Sequence, residues 1–121
     1  MPTTDIDTLS ERDCLTLLGT VDLGRLLFTE NALPAIRPVN FTITDGRIVI
    51  PATEGSWADR LHGVLVAFVV DEINSETNTG WAVLVHGTAH LVTHPQRVLT
   101  VGVERVAGQH LALTRPAPLA L

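Results

Sequence analysis

The pair Asp45-Gly46 constrains this chain more than any other feature. It sits between Phe41-Thr42-Ile43 and Ile48-Val49-Ile50, two short β-type runs. A two-residue connection between antiparallel strands needs positive φ at both central positions, which Asp-Gly supplies at little steric cost. A tight hairpin is therefore expected. Its neighbours extend the pattern. Gly24 to Thr29 reads as a strand followed by a turn at Glu30-Asn31, and Ala35 to Thr44 as a second strand interrupted by Pro38. Val64 to Val70 is almost wholly apolar and reads as a strand buried on both faces. The polar stretch 71–80 reads as a connection. Trp81 to Val92 keeps its odd positions largely apolar, as a long strand would. Val98 to Val106 reads as another strand, and Ala107-Gly108 as a turn before a short pairing segment to Leu113.

Helix signals are few. Ser10 followed by Asp13 fits a helix start, Leu9, Cys14, Leu17 and Leu18 supply an apolar face, and Gly19 is a stop. Ser56 to Leu61 can form a second short helix capped by Ser56. Six or seven strands with two short helices predict an antiparallel barrel, closed or partly closed.

The 121 residues favour one domain with a real core. We expect a flexible stretch at 1–8, the barrel at 9–114 and an extended tail at 115–121. With 45% apolar residues and no apolar run long enough to span a bilayer, neither disorder nor a membrane helix is expected. The polar, acidic N-terminus is unlike a secretory signal, so a cytoplasmic location is the expectation. Net charge is −5, and the eight basic residues, all Arg, are scattered along the chain. Nucleic acid and membrane surfaces are therefore not expected partners.

Chemistry-bearing motifs are sparse. The chain has one cysteine, Cys14, within an apolar helical pattern, which reads as a small buried hydrophobe. It has no lysine, which excludes a Schiff-base lysine and with it internal-aldimine pyridoxal phosphate chemistry. His86, His90 and His94 recur every four residues, yet lie on or beside a strand with no acidic partner nearby, so no metal site is expected. No residue stands out as a catalytic acid, base or nucleophile.

Two stretches draw attention. In Arg37-Pro38-Val39-Asn40, a proline within a strand removes a ladder donor and marks an edge or a bulge. A bulged strand exposes backbone that can read a planar ligand, whereas an edge strand gains from Pro38 protection against pairing. In Thr53-Glu54-Gly55-Ser56-Trp57-Ala58-Asp59-Arg60, a glycine-containing loop enters a helix N-terminus. That is either a seat for phosphate or an ordinary capped helix with Trp57 packed on the barrel.

Taken in order, several segments resemble a known pattern. They are Val21-Asp22-Leu23-Gly24-Arg25-Leu26, Leu33 to Phe41, the Asp45-Gly46 hairpin, Gly55-Ser56, Val66 to Asp71, and Thr79-Gly80-Trp81 through Gly87-Thr88-Ala89. Residues 9–94 resemble the pyridoxamine 5′-phosphate oxidase-like family of flavin-binding split β-barrels, in its short actinobacterial form. The resemblance implies an all-β, six-stranded antiparallel split barrel that forms a homodimer. It implies FMN, or a deazaflavin, in a groove between subunits, and oxidoreductase activity on a small molecule. By position, Arg37, Pro38, Val39 and Asn40 would run beside the flavin ring. Residues 51–57, with Ala52, Thr53, Ser56 and Trp57, would hold the phosphate. Arg60 would add a cation, and Trp81 would lie near the interface and the groove.

The departures concern phosphate. Relatives often carry a basic residue where this chain has Pro51, Thr at Ala52, and Lys at Trp57. Losing two charge-assisted hydrogen bonds of about 1.5–3 kcal/mol each weakens binding a hundredfold or more. Arg60, Arg25 and Arg37 are the candidate replacements. The alternative is a non-catalytic split-barrel binding module that has lost its flavin phosphate ligands. Relatives also carry a helix and a loop after the equivalent of His94-Pro95, where this chain passes almost directly into Val98.

Overall fold

The computed structural model describes residues 3–116. Its elements run β1 (Thr3–Thr8), α1 (Glu11–Leu18), β2 (Leu23–Glu30), β3 (Leu33–Asn40), β4 (Thr42–Thr44) and β5 (Arg47–Pro51). A 3₁₀ turn (Trp57–Arg60), β6 (Leu65–Asn74), β7 (Thr79–Val92), β8 (Val98–Gly102) and β9 (Arg105–Leu113) follow. The class is all-β with short helices, as expected, and among the described residues every strand pair is antiparallel.

Local signals place several elements directly. Asp45 and Gly46 have φ of 51° and 72°, so the tight hairpin forms and sets Ile43 opposite Ile48. Ser10 caps α1, its hydroxyl accepting from the Asp13 amide at 3.1 Å, and Gly19 ends it. Ser56 caps the 3₁₀ turn by accepting from the Ala58 amide at 3.3 Å.

Hydrogen-bonded neighbours run β3-β2-β6-β7-β8-β5-β4, with β9 between β7 and β1. The chain changes sheets at Phe41, between β3, which pairs with β2, and β4, which pairs with β5. β7 belongs to both halves. Its first eight residues pair with β9 and its last four with β8. Between His86↔Arg105 and Ala89↔Val101, two residues of β7 face three of the other strand, which is a bulge. The Glu104 carboxylate fills it by accepting from the Thr88 amide at 2.7 Å. The core lies inside this split barrel. Leu26, Phe68, Ile48, Ile50, Val83, Val85, Leu99 and Val101 are fully buried there, and Phe41 meets Phe68 edge-on at 4.8 Å.

The structure corrects six expectations, and a seventh lies mostly outside the described residues. Among the described residues there are nine strand segments rather than six: the sheet crossing at Phe41 and the bulge at 103–104 each divide a run, and Thr3–Thr8 adds one. Thr3–Thr8 is a strand paired with β9, and it is this long-range pairing that orders a polar segment. The tail expected at 115–121 lies, from residue 117, outside the described residues. The turn after β2 falls at Asn31-Ala32, both at positive φ. Most of 71–80 is strand, and the turn shrinks to 75–78, where Asn74 Oδ1 accepts from the Glu76 amide at 2.8 Å. Ala107-Gly108 lies inside β9, opposite Leu84 and Val83, because the glycine is needed beneath α1 rather than for a turn. Finally, β6 buries Val66, Phe68 and Val70 but leaves Leu65, Ala67 and Val69 on the outer face, so one face only is core.

Candidate functional site

β3 ends the sheet, so Pro38 stands on an edge strand whose register with β2 is unbroken. The edge reading of Arg37-Pro38-Val39-Asn40 holds and the bulge reading does not. The Phe41 amide donates to Asp22 O at 3.0 Å, which puts odd-numbered β3 amides toward β2 and even-numbered ones toward the open edge. Pro34 and Pro38 fall on the outward parity, where a missing N–H leaves no gap in the ladder.

The alternation that defines a strand divides the four residues between two faces. Arg37 and Val39 lie opposite Leu26 and Gly24 on the barrel side. Pro38 lies opposite Arg25 on the outer side. The Asn40 side chain donates to Asp22 O at 3.1 Å.

Arg37 rests over the Trp57 ring at 5.9 Å, and Trp57 stacks on Phe28 at 5.6 Å with the planes 10° apart. Trp57 is therefore packed on the barrel. Arg60, one turn on, pairs with Glu30 at 2.7 Å.

The loop before the 3₁₀ turn is bonded to its own chain. The Gly55 amide donates to Asp59 Oδ2 at 2.7 Å, and Arg97 Nη2 donates to Asp59 Oδ1 at 2.5 Å. The Ala52 amide donates to Arg97 O at 3.1 Å, and the Ser56 amide to Thr53 O at 3.1 Å. The Arg97 hydrogen bond, with the Gly55 amide beside it, holds the Asp59 carboxyl below the usual carboxylate range. Arg97 Nε is buried without a hydrogen-bond partner.

On the outer side a cleft of about 370 Å³ opens beside Pro38, bordered by Thr20, Asp22, Arg25, Val69 and Asp71. Arg25 pairs with Asp71 there at 2.6 Å. Trp81 is elsewhere, opposite Glu72 and His110, on a different cleft with Thr79 and Gly80. The structure thus joins Arg37 to Trp57 and separates Pro38 and Trp81 from them.

Cross-strand partners share a face, so two rows can be followed over the outer sheet. One runs Ile36, Leu27, Ala67, His86, Arg105, and the other Pro38, Arg25, Val69, Leu84, Ala107. Together they make a largely apolar belt interrupted by Arg25 and His86 and bounded at one corner by Arg105, with Ile36 54% and Leu84 37% exposed.

His86 and His90 share that outer side of β7, and His94 lies beyond the strand end. His90 meets His62 edge-on at 5.6 Å, while His62 Nδ1 accepts from the Leu91 amide at 3.0 Å. Among the described residues no three His, Cys, Asp or Glu side chains converge as metal ligands would. Cys14 is fully buried, and burial, with Asp13 and Glu11 adding to it, pushes its thiol pKa up.

Sequence reasoning missed Asp59, Arg97, Glu30 and Asp71 as members of these clusters. The one local signal was the spacing of Gly55 and Asp59 across a capped turn.

The family model described as pyridoxamine 5′-phosphate oxidase matches residues 10–118. An uncharacterized protein of Mycobacterium tuberculosis is 38% identical over 102 residues, 78% of this chain, and the match spans only 66% of that relative's length. A FAD binding protein from Mycobacterium smegmatis is similar in structure at TM-score 0.78 and 27% identity, over 88% of this chain and 98% of that one. A FAD-binding protein from Mesorhizobium loti reaches TM-score 0.77 at 18% identity, over 89% of this chain and 98% of that one, and speaks to the fold alone. With its model matched across nearly the whole chain and its fold shared, this protein belongs to the pyridoxamine 5′-phosphate oxidase family.

Proposed function

We propose that two copies of this chain pair through their outer sheet faces and hold a flavin in the groove between them, serving an oxidoreductase that acts on a small molecule. The observation that carries this reading is the likeness to the FAD binding protein of M. smegmatis, which extends over almost all of that chain. The outer face supports it. A belt of Ile36, Leu27, Ala67, Val69 and Leu84 on one side of a sheet is the kind of surface that a symmetric pair hides.

A planar apolar ring fits this surface. The cleft beside Pro38 offers apolar walls at Pro38 and Val69 with the Arg25–Asp71 pair at its margin. Pro38 and Asn40 would hold the ring edge, and Arg25 would meet its polar side. A terminal phosphate fits the 52–57 loop poorly, since the amides of Ala52, Gly55, Ser56 and Ala58 are already bonded. A bound flavin supplies hydride and single-electron chemistry, while the chain supplies binding, orientation and exclusion of water. The resemblance pointed to FMN or a deazaflavin, whereas the similar structures are named for FAD; a flavin ring is common to FMN and FAD.

A second reading is a binding module without catalysis. Trp57 packed on Phe28 and Arg60 paired with Glu30 favour it, because neither reaches toward a ligand. The test is an absorbance spectrum of the purified protein, alone and after FAD or FMN is added and the mixture desalted. Retained flavin bands support the flavin reading. Complete loss of both flavins on desalting overturns it and leaves the module.

A further inference from the structure

We propose that Asp59 is the resident anion of the 53–59 loop, standing where a terminal phosphate would otherwise be received, so that this loop selects against phosphate monoesters. The inference deepens the flavin reading above and rests on it for the choice of ligand.

The argument begins with the groups a phosphate would use. An anion at such a loop is held by backbone amides and a nearby cation. Here the amide is that of Gly55 and the cation is Arg97, and both are bound to the two oxygens of one carboxylate. Asp59 is only four residues from Gly55, so the loop closes on itself without a ligand. It is also tied to a distant segment, because Arg97 donates from its side chain to Asp59 and accepts at its carbonyl from Ala52.

The other candidate cations are engaged as well. Arg60 is paired with Glu30, and Arg37 lies on the Trp57 ring. A phosphate monoester carries close to two negative charges near neutral pH. Entering this loop would bring it against the Asp59 carboxylate, with Glu54 also on the loop, and it would have to displace the carboxylate from Arg97 before gaining any bond. Specificity of this kind comes from a repulsive group placed against the wrong ligand as much as from attraction to the right one. Arg97 Nε is buried, so it offers an entering phosphate no accessible donor.

The consequence is that the terminal phosphate of FMN contributes nothing to binding at this loop. The test compares riboflavin with FMN by fluorescence titration, in the wild-type protein and in Asp59→Ala. We expect wild-type protein to bind FMN no more than about threefold tighter than riboflavin, and Asp59→Ala to prefer FMN by tenfold or more. A larger wild-type preference for FMN, or an unchanged ratio in the variant, overturns the proposal. Asp59→Asn, which keeps an acceptor for the Gly55 amide, serves if the alanine variant does not fold.

A second measurement stands apart from flavin. In ¹⁵N-labelled protein, millimolar inorganic phosphate should leave the wild-type Gly55 amide resonance unmoved and shift it in Asp59→Ala. A shift in the wild type, or none in the variant, counts against the proposal. If neither flavin binds, the flavin reading fails, and this measurement still decides the role of Asp59.

Discussion

Gly108 lies so close beneath α1 that a Cβ placed on it would stand 2.6 Å from the sulfur of Cys14. The same Cβ would lie 3.0 Å from the carbonyl oxygen of Ala82. The helix is seated on the sheet through this contact, which accounts both for a glycine inside a strand and for a small, buried side chain at Cys14.

Gly108→Ala should therefore destabilise the protein by about 1–3 kcal/mol, the usual penalty of overpacking. Urea denaturation measures it. The Cys14→Ala, Gly108→Ala double variant should recover at least half of the loss, since the methyl then meets open space on the helix side. In the native protein Cys14 should resist thiol reagents and react only when unfolded.

Asp59 sets an acid response. Its carboxyl is held below the usual range, chiefly by the Arg97 hydrogen bond. A group with a lowered folded pKa stabilises fully above its unfolded value, about 4, and loses that contribution as pH falls through the folded value. Trp57 fluorescence, followed in a Trp81→Phe background, should stay flat down to about pH 4 and change only below it. In Arg97→Ala the change should move to higher pH. An identical acid profile in that variant would show that the pairing does not control the loop.

Ala32 occupies the second position of the β2–β3 turn with φ of 63°. A left-handed conformation costs an L-residue about 1–2 kcal/mol, part of which glycine returns as unfolded-chain entropy. Ala32→Gly should raise stability by about 0.5–1 kcal/mol, read as a higher urea midpoint with an unchanged slope.

The proposed pairing of outer faces makes Leu84 a sensitive point, between Val69 and Ala107 in its row. Leu84→Arg should raise the dimer dissociation constant at least a hundredfold, about 2.8 kcal/mol, by sedimentation equilibrium. Because Leu84 is exposed in the single chain, the variant should keep its fold by circular dichroism. A dimer that survives the change would move the interface elsewhere.

The Arg37–Trp57 stack can be weighed by a double-mutant cycle. Arg37→Ala should cost about 0.5–1 kcal/mol in the wild type and close to nothing in Trp57→Ala. Equal costs in the two backgrounds would show that the ring contributes no attraction.

Much of the fold was legible because its signals are local. Asp45-Gly46 dictates a turn through its own backbone preferences, Ser10 caps a helix three residues away, and the alternation through Val83, Val85 and Ala89 needs only the period of a strand. The errors arose where partners are distant. Thr3–Thr8 is ordered by β9, more than ninety residues along the chain, and Asp71 to Asn74 are extended by pairing with β7 despite their polarity. Gly108 looks like punctuation until Cys14 is placed above it. The candidate site was legible in the same uneven way. Pro38 announced an edge or a bulge, since a proline cannot donate to a ladder, and the unbroken register with β2 decides for the edge. Trp57 packing on the barrel was one of the two readings its loop allowed, whereas its partner Phe28 and the role of Asp59 were hidden, because Phe28 and Arg97 lie far off in the sequence.

The short connection after β7 bears on a segment it does not resemble. Relatives were expected to carry a helix there, whereas here Arg97 follows almost at once and reaches Asp59. The place of Arg97, fixed by the pairing of β8 with β5, thus governs the state of residues 53–59. Replacing that one side chain would free the loop without altering a single one of its own side chains. Two members of one lineage could then keep the same loop sequence and differ in whether it stands open, with a substitution some forty residues downstream as the inherited difference.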